Sequence, residues 1–384
     1  MTSECKKSIL CIVPLPPPIT GAAIASESIV NHLRKHHNVT VMQYQRGTLI
    51  SGEFSLKQLI KFLLIGIQMT LKKNSFDCAY LVISSSSWGN PRDLFLLALM
   101  GQQLQKKTVL HLHGSNIDRY FKRSPLYLKT LNKLILSQVR SSIVLGETFQ
   151  NIFDGYIPSK KIEIVKNCYD PSLLISEADL EIKFKTFDKI NILFLSNLIK
   201  EKGYLLLLDA FLSLPLNIRD KANLHFAGEV KSEKEKTSFL KIIKDMKNIF
   251  YHGPVDGQKK RGLLWNAHIF CLPTYYKYEG QPITIIEAYA AGCMVLTTDN
   301  GGIRDVFTNG DNGFFIDINL ENSDRNENII QVKKMLENVI PNTSNYKDIA
   351  CFNRGVAMHK YSETLYCKSI ENILLKAADS ESAE

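Results

Sequence analysis

Twelve short apolar runs, separated by segments with helical periodicity, are the feature that most constrains the fold of this 384-residue chain. Such alternation is typical of parallel β-sheets covered by helices on both faces. A polar stretch at residues 167–189 divides the runs into two series of six. The pattern predicts an α/β protein with two doubly wound, Rossmann-like domains. The predicted strands are residues 8–14, 40–44, 78–83, 108–113, 142–145 and 162–165, and then 190–195, 223–227, 249–252, 269–272, 294–298 and 313–316.

The cysteines and the apolar runs together favour a cytoplasmic protein. Eight cysteines lie far apart without a C-x-x-C pair, as expected of reduced thiols. No run approaches the roughly 20 apolar residues that a membrane span requires. The apolar run at residues 8–14 is short and is followed by prolines, so it predicts a first strand rather than a secretion signal.

The positive charge is concentrated in the first half of the chain. Residues 1–170 carry 21 lysines and arginines against 10 aspartates and glutamates, whereas the remainder carries 26 against 28. This asymmetry indicates an anionic partner, which is either nucleic acid or a membrane surface. Aromatic residues are not interleaved with the basic ones as a nucleic-acid stacking platform requires, so we expect no nucleic-acid partner.

An anionic membrane surface therefore remains as the expected partner, and two segments of the chain favour it. Residues 55–73 and 118–140 set lysines and arginines around apolar helical stripes, as in helices that lie in the membrane interface. The alternative is that both stripes pack on the sheet and leave their lysines in solvent. The hypothesis places the protein in the cytoplasm and peripherally on the inner face of the cell membrane.

Two glutamates, Glu279 and Glu287, carry the strongest functional signal. Glu279 ends a loop, whereas Glu287 lies on a helix that is predicted to have Pro282 as its first residue and Gly292 as its stop. Gly280 lets the backbone approach a ligand, and the amides of the first helical turn favour a phosphate. Carboxylates beside a phosphate site suit a nucleotide sugar, whose hydroxyls need acceptors. No G-x-G-x-x-G, P-loop or D-x-D motif occurs.

The stretch from residue 273 to 307 resembles the signature of the retaining nucleotide-sugar glycosyltransferases with two Rossmann-like domains, the GT-B fold of the glycosyl transferases group 1. Strand, loop, helix, strand and turn match in order. The resemblance implies two domains facing across a cleft: residues 1–175 on the acceptor and membrane side, and residues 176–365 for donor binding. A C-terminal helix and tail, residues 366–384, would cross back to the first domain.

The resemblance also implies roles for particular residues. Glu279 and His113 would contact the transferred sugar as catalytic residues, Glu287 would bind the ribose, and Lys202 would hold the diphosphate. Asn197 departs from the family, because many members carry a phosphate-binding arginine there; whether Lys200 compensates stays open. The other implied donor-binding residues are Gly21, Gly280, Gln281, Pro282 and Ile283.

Several further residues resemble family positions more weakly. Asn167 and Asp170 correspond to a stretch that closes the first domain, and Gly228 and Gly253 to turns that line the nucleotide. His111 alternates with His113 on the predicted strand and is interpreted as structural. Zinc would need further ligands at plausible spacing, which the sequence does not offer, so no metal site is predicted.

The sequence therefore predicts a retaining glycosyltransferase that needs neither cofactor nor metal. The resemblance implies transfer of a hexosyl or N-acetylhexosaminyl group from a nucleoside diphosphate, UDP in our hypothesis, to a saccharide acceptor that is lipid-linked. Similar KYEGQP loops suggest bacterial lipopolysaccharide O-antigen or capsule assembly. Two alternatives stay open: a sugar-nucleotide epimerase, and a non-catalytic scaffold that binds a nucleotide sugar.

Overall fold

The computed structural model describes residues 6–17, 20–43, 66–67, 69–185, 187–320, 324–342 and 346–379. It divides into two compact domains. The first contains residues up to Asn167 and those from Glu363 onward, and the second contains Cys168–Ser362. The division falls earlier than the expected boundary at residue 175. Residues 168–175 belong to the second domain because Leu173 lies in its core and the Ile175 amide donates to the Ala290 carbonyl.

The first domain is built on a six-stranded parallel sheet whose order is β2-β1-β3-β4-β5-β6. All six expected strands form, and most are nearly completely buried because helices cover them. The strands are β1 Ser8–Val13, β2 Asn38–Gln43, β3 Cys78–Val82, β4 Thr108–His111, β5 Ser141–Val144 and β6 Ile162–Ile164. The helices with fully described bounds before Asn167 are α1 Gly21–His36, α2 Gly89–Gln105, α3 Ile117–Arg123 and α4 Leu126–Leu136.

The second domain has its own six-stranded parallel sheet, in the order β12-β11-β10-β7-β8-β9. Its six expected strands also form, so the predicted α/β architecture is confirmed. The strands are β7 Ile190–Leu195, β8 Ala222–Ala227, β9 Ile249–Tyr251, β10 Ile269–Leu272, β11 Met294–Thr297 and β12 Gly313–Phe315. The helices are α5 Glu177–Lys185, α6 Tyr204–Leu212, α7 Leu216–Arg219, α8 Glu233–Ile243, α9 Gly257–Asn266, α10 Ile283–Ala290, α11 Arg325–Val339 and α12 Tyr346–Lys360.

The strand order of the second sheet creates a switch point between β7 and β10, where the chain's progress across the sheet reverses. In open α/β sheets, ligands bind beyond the carboxyl ends of the strands at such a point. The loops that follow β7 and β10 are therefore the part of this domain where a site is expected.

The final helix, α13 (Glu363–Ala378), packs against α1, β3 and β4 of the first domain. Glu371 on α13 fixes it to α1, because its two carboxylate oxygens lie 2.9 Å from His32 Nε2 and 3.0 Å from His37 Nε2. The helix begins three residues earlier than the tail predicted from the sequence. No helix within the described residues combines the length and the apolar composition needed to cross a membrane.

The two predicted membrane-binding segments have different outcomes. Residues 55–65 and 68 lie outside the described residues, so the first stays a prediction. The second is not one helix, because Ser124 and Pro125 separate α3 from α4. Phe121 is buried, but the outer face of α4 is not, so the alternative that this whole stripe packs on the sheet is wrong. The exposed apolar residues of α4 are Leu126, Tyr127, Leu131 and Leu134.

Candidate functional site

Close packing of the loops at the switch point depends on two glycines. Gly203 has a φ of 83°, and a Cβ there would lie 2.1 Å from the Pro273 carbonyl oxygen. Gly228, after β8, has a φ of 137°, and a Cβ there would lie 1.8 Å from the Ser196 carbonyl oxygen. Side chains are excluded at both positions by conformation and by contact. The loop after β7 thereby packs against the loop after β10 at Gly203 and against the loop after β8 at Gly228.

Lys202 and Glu279 form a buried ion pair between these two loops. The Lys202 ammonium lies 2.7 Å from each carboxylate oxygen of Glu279, and the Thr274 hydroxyl donates to one of them at 2.8 Å. The two side chains are only 16% and 4% exposed. The Glu279 carbonyl also accepts from the Gly302 amide at 3.3 Å, which joins the loop to the turn after β11. Two predicted site residues from distant parts of the sequence are thus in direct contact.

Helix α10 begins at Ile283. The sequence predicted Pro282 as the first helical residue, but Pro282 is the N-cap residue instead. Proline has no side-chain acceptor, and no side chain caps this end of the helix. The positive end of the helix dipole is thus directed toward the segment Gly280–Pro282, in which Gln281 is buried. The arrangement suits an anionic group, as the sequence predicted for the donor phosphates.

Glu287 makes the second buried ion pair of the domain, with Lys260 of α9. The Lys260 ammonium lies 2.6 Å from Oε1 of Glu287, and the side chains are 19% and 5% exposed. The other oxygen, Oε2, is buried and has no hydrogen-bond partner among the described residues. Sequence reasoning missed Lys260. The signal that could have identified it was the position of this lysine in the first turn of a helix, where the positive end of the helix dipole makes a cation unfavourable.

Asn197 and Lys200 lie in the loop between β7 and Lys202. Asn197 is exposed. Lys200 pairs with Glu235 of α8 at 3.2 Å, and the Lys200 side chain is 60% exposed. Of the two lysines in this loop, Lys202 is therefore the one whose ammonium group contacts Glu279.

The remaining two site predictions, Gly21 and His113, belong to the first domain. Gly21 is the first residue of α1, and the Thr20 hydroxyl caps that helix by accepting from the Ala23 amide at 3.2 Å. The strand expected to run to His113 ends at His111, so His113 lies in the following loop. Its ring stacks on that of His111 with centroids 4.0 Å apart, so both histidines occupy one face as the alternation predicted.

His111 is held as a neutral group. Its Nδ1 lies 2.6 Å from the Tyr80 hydroxyl, and the side chain is completely buried. Burial, assisted by His113, lowers the pKa of His111 well below its usual value of 6.5. A buried neutral imidazole held by a tyrosine agrees with the structural role expected for this residue.

The residues that resemble family positions more weakly are buried or make local hydrogen bonds in turns. The Asp170 carboxylate caps a turn by accepting from the Ser172 amide at 2.9 Å, and Asn167 is buried. The Gly228 amide donates to the Gly253 carbonyl at 2.8 Å, which connects the ends of β8 and β9. Within the described ranges, no three His, Cys, Asp or Glu side chains are arranged to hold a metal ion.

Comparisons with known proteins agree with this arrangement. Residues 176–344 match the family model described as glycosyl transferases group 1. An uncharacterized glycosyltransferase of Methanocaldococcus jannaschii is 24% identical over 290 residues, 73% of this chain and 72% of the relative. A putative teichuronic acid biosynthesis glycosyltransferase of Bacillus subtilis is 27% identical over 224 residues, 55% of this chain and 51% of the relative. The crystal structure of Anabaena HepE in complex with UDP-glucose has a TM-score of 0.69 at 16% identity, over 96% of this chain and 100% of that one.

The protein therefore has the GT-B fold of glycosyltransferases. Most of its second domain, which carries both ion pairs, matches the model of the glycosyl transferases group 1 family.

Proposed function

We propose that the protein transfers a hexosyl or N-acetylhexosaminyl group from a UDP-linked donor to a saccharide hydroxyl, with retention of the anomeric configuration. The observation that carries the proposal is the buried Glu287 carboxylate, one oxygen of which has no hydrogen-bond partner within the described structure. An unsatisfied buried acceptor of this kind costs free energy that a ligand hydroxyl offsets. The neighbouring Lys202–Glu279 pair supplies groups for a diphosphate and for the sugar.

The mechanism assigns separate tasks to these groups. The bond between the anomeric carbon and the phosphate oxygen breaks, and a bond from that carbon to the acceptor oxygen forms on the same face. The departing phosphate oxygen takes the acceptor proton. Lys202 and the start of α10 stabilise the charge that develops on the leaving diphosphate. Glu279 accepts from sugar hydroxyls, Glu287 accepts from the ribose, and His113 orients the sugar. These protein donors take over the charge stabilisation that a divalent ion could otherwise supply.

The choice of UDP and of a cell-surface polymer rests on analogy. HepE was crystallised with UDP-glucose, and the relative from Bacillus subtilis is assigned to teichuronic acid biosynthesis. Together with the KYEGQP loop, these relatives support a role in lipopolysaccharide O-antigen or capsule assembly.

The first domain supports a lipid-linked acceptor at the inner face of the membrane. On α4, Leu126 is 79% exposed, and Tyr127 and Leu134 are also mostly exposed. Lys122 and Arg123, at the end of α3, are exposed close to them in the chain. Apolar side chains flanked by cations suit an anionic bilayer interface.

Product analysis with purified protein tests the catalytic proposal. The protein is incubated with UDP-glucose, UDP-N-acetylglucosamine or UDP-galactose and a panel of saccharide acceptors in excess chelator, and the new linkage is examined by proton NMR. We expect a glycoside with the donor's α configuration. A β linkage, or activity restored only by magnesium or manganese, would contradict the mechanism. A changed sugar nucleotide without acceptor would indicate an epimerase, and binding without turnover would indicate a scaffold.

A further inference from the structure

Lys260 was not among the predicted site residues, and its position in α9 gives no electrostatic reason for a cation. It is the fourth residue of α9, in the turn where the helix dipole opposes positive charge. Glu287, its partner, begins the last turn of α10, where the dipole opposes negative charge. Both charges therefore occupy the helix ends that disfavour them.

The pair is also buried, so the attraction between its two charges is largely offset by the free-energy cost of removing both charges from water. Buried ion pairs contribute little net stability compared with apolar side chains of similar size. The arrangement is also asymmetric, because Lys260 contacts Oε1 at 2.6 Å while Oε2, buried, has no partner in the described part of the chain. The lysine thus fixes one oxygen and leaves the other for a group that the protein does not supply.

We propose that Lys260 is a positioning residue that fixes the Glu287 carboxylate so that Oε2 receives a ribose hydroxyl, and that it thereby makes the site selective for ribonucleotides. This inference rests on the proposed role of Glu287 in donor binding. The ammonium balances the carboxylate charge and prevents rotation of the carboxylate. A carboxylate held in this way accepts a strong, charge-assisted hydrogen bond from a hydroxyl at a defined position.

The chain offers a matched control in the adjacent residue. Lys259 belongs to the same helical turn, but its ammonium donates to the His252 carbonyl at 2.9 Å and not to Glu287. Lys259→Met and Lys260→Met therefore remove the same charge from the same turn, and only the second removes the contact with the carboxylate.

The experiment compares, by calorimetry, the binding of UDP and of 2′,3′-dideoxy-UDP to the full-length protein. We expect the wild type to prefer the ribonucleotide by at least about tenfold, the range for a hydrogen bond to a charged group. Lys260→Met should reduce the preference to within about threefold, an effect we infer from the loss of carboxylate positioning. Lys260→Arg, which can still hold the carboxylate, and Lys259→Met should keep it. Because the preference is a ratio of two affinities, a loss of folded protein alone does not change it.

The outcomes separate this inference from the proposed function. If wild-type protein binds both nucleotides equally or binds neither, the role of Glu287 is wrong, and the inference is wrong with it. If wild type shows the preference and Glu287→Gln loses it, but Lys260→Met retains it, only the inference about Lys260 is overturned. An equal loss in Lys259→Met would also overturn it. Should Lys260→Met fail to fold, Lys260→Gln replaces it and must likewise lose most of the preference.

Discussion

The Lys202 ammonium is equidistant from the two carboxylate oxygens of Glu279, at 2.7 Å from each. In the proposed mechanism these groups act on different parts of the donor, the cation on the diphosphate and the anion on the sugar. Donor binding must therefore exchange the protein ion pair for two contacts with the ligand. The exchange leaves Lys202 paired with the diphosphate and Glu279 hydrogen-bonded to sugar hydroxyls, which matters because both side chains are largely buried.

Substitutions of the pair should separate binding from turnover. Lys202→Met should weaken UDP binding by about 1.5–3 kcal/mol, because a charge-assisted hydrogen bond to the diphosphate is lost, while uridine binding stays the same. Glu279→Gln should bind UDP at least as well as wild type, since Lys202 is then free of its partner, yet kcat should fall. Calorimetry and initial rates measure the two effects. Lys200→Met is the matched control, because Lys200 pairs with Glu235 rather than with Glu279. Equal losses for the two lysine variants would contradict the assignment.

Restoring the arginine typical of the family should strengthen diphosphate binding. Asn197 is exposed in the loop that leads to Lys202, and Asn197→Arg adds a cation there. We expect UDP to bind more tightly by about 1–2 kcal/mol, with uridine unchanged, because arginine pairs well with phosphate. Thr308→Arg, in the turn that leads into β12, adds the same charge at a position without a predicted role. An equal gain in both variants would indicate a nonspecific charge effect.

The strands were predictable because each coincides with a short apolar run, and all twelve form within a few residues of their expected bounds. The Lys202–Glu279 contact was harder to predict from the sequence, because it requires β7 and β10 to be adjacent in the sheet. The local hydrophobic periodicity does not reveal the order of the strands. Lys260 was missed because its partner is on another helix. The domain boundary lies at Asn167 rather than at the expected residue 175, because residues 168–175 are held to the second domain by contacts such as the hydrogen bond from the Ile175 amide to the Ala290 carbonyl.

Two glycines should be indispensable for the stability of the second domain. Gly203→Ala and Gly228→Ala each force a side chain into a positive-φ conformation and against a carbonyl oxygen. We expect each to lower the free energy of unfolding by more than about 2 kcal/mol. Gly262→Ala in α9 is the control, because no atom lies within 4 Å of the added Cβ and a helical glycine is unfavourable; it should stabilise by about 0.5–1 kcal/mol. Denaturant titrations measure all three. Similar midpoints for all three would contradict the prediction.

Buried His268 should make the second domain sensitive to acid. Burial, assisted by Lys183, lowers the pKa of His268 to about 4 from 6.5. Between these values the unfolded chain binds a proton that the folded domain does not. The contribution of this group is therefore complete above pH 6.5 and is lost as the pH falls toward 4, by up to about 1.4 kcal/mol per pH unit.

His268→Gln should give a flatter stability profile between pH 6.5 and 4, although the variant is less stable at pH 8. The chain has two tryptophans, and Trp265 lies in the second domain, where its Nε1 donates to the Leu173 carbonyl. Fluorescence of Trp265 in a Trp88→Phe background therefore reports on this domain. An unchanged slope in His268→Gln would show that other groups cause the acid sensitivity.

The exposed face of α4 should bind anionic membranes. We expect the protein to sediment with vesicles that contain phosphatidylglycerol but not with neutral phosphatidylcholine vesicles, and to be released by salt. Neutralising Lys122, Arg123 and Lys129 to glutamine should remove about 1 kcal/mol of binding for each charge that reaches the surface. Leu126→Ser with Leu134→Ser should weaken binding without unfolding, because both side chains are largely exposed. The control neutralises the exposed Lys241, Lys244 and Lys247 of the second domain. Equal recovery from both vesicle types, or an equal loss in the control, would refute docking through α4.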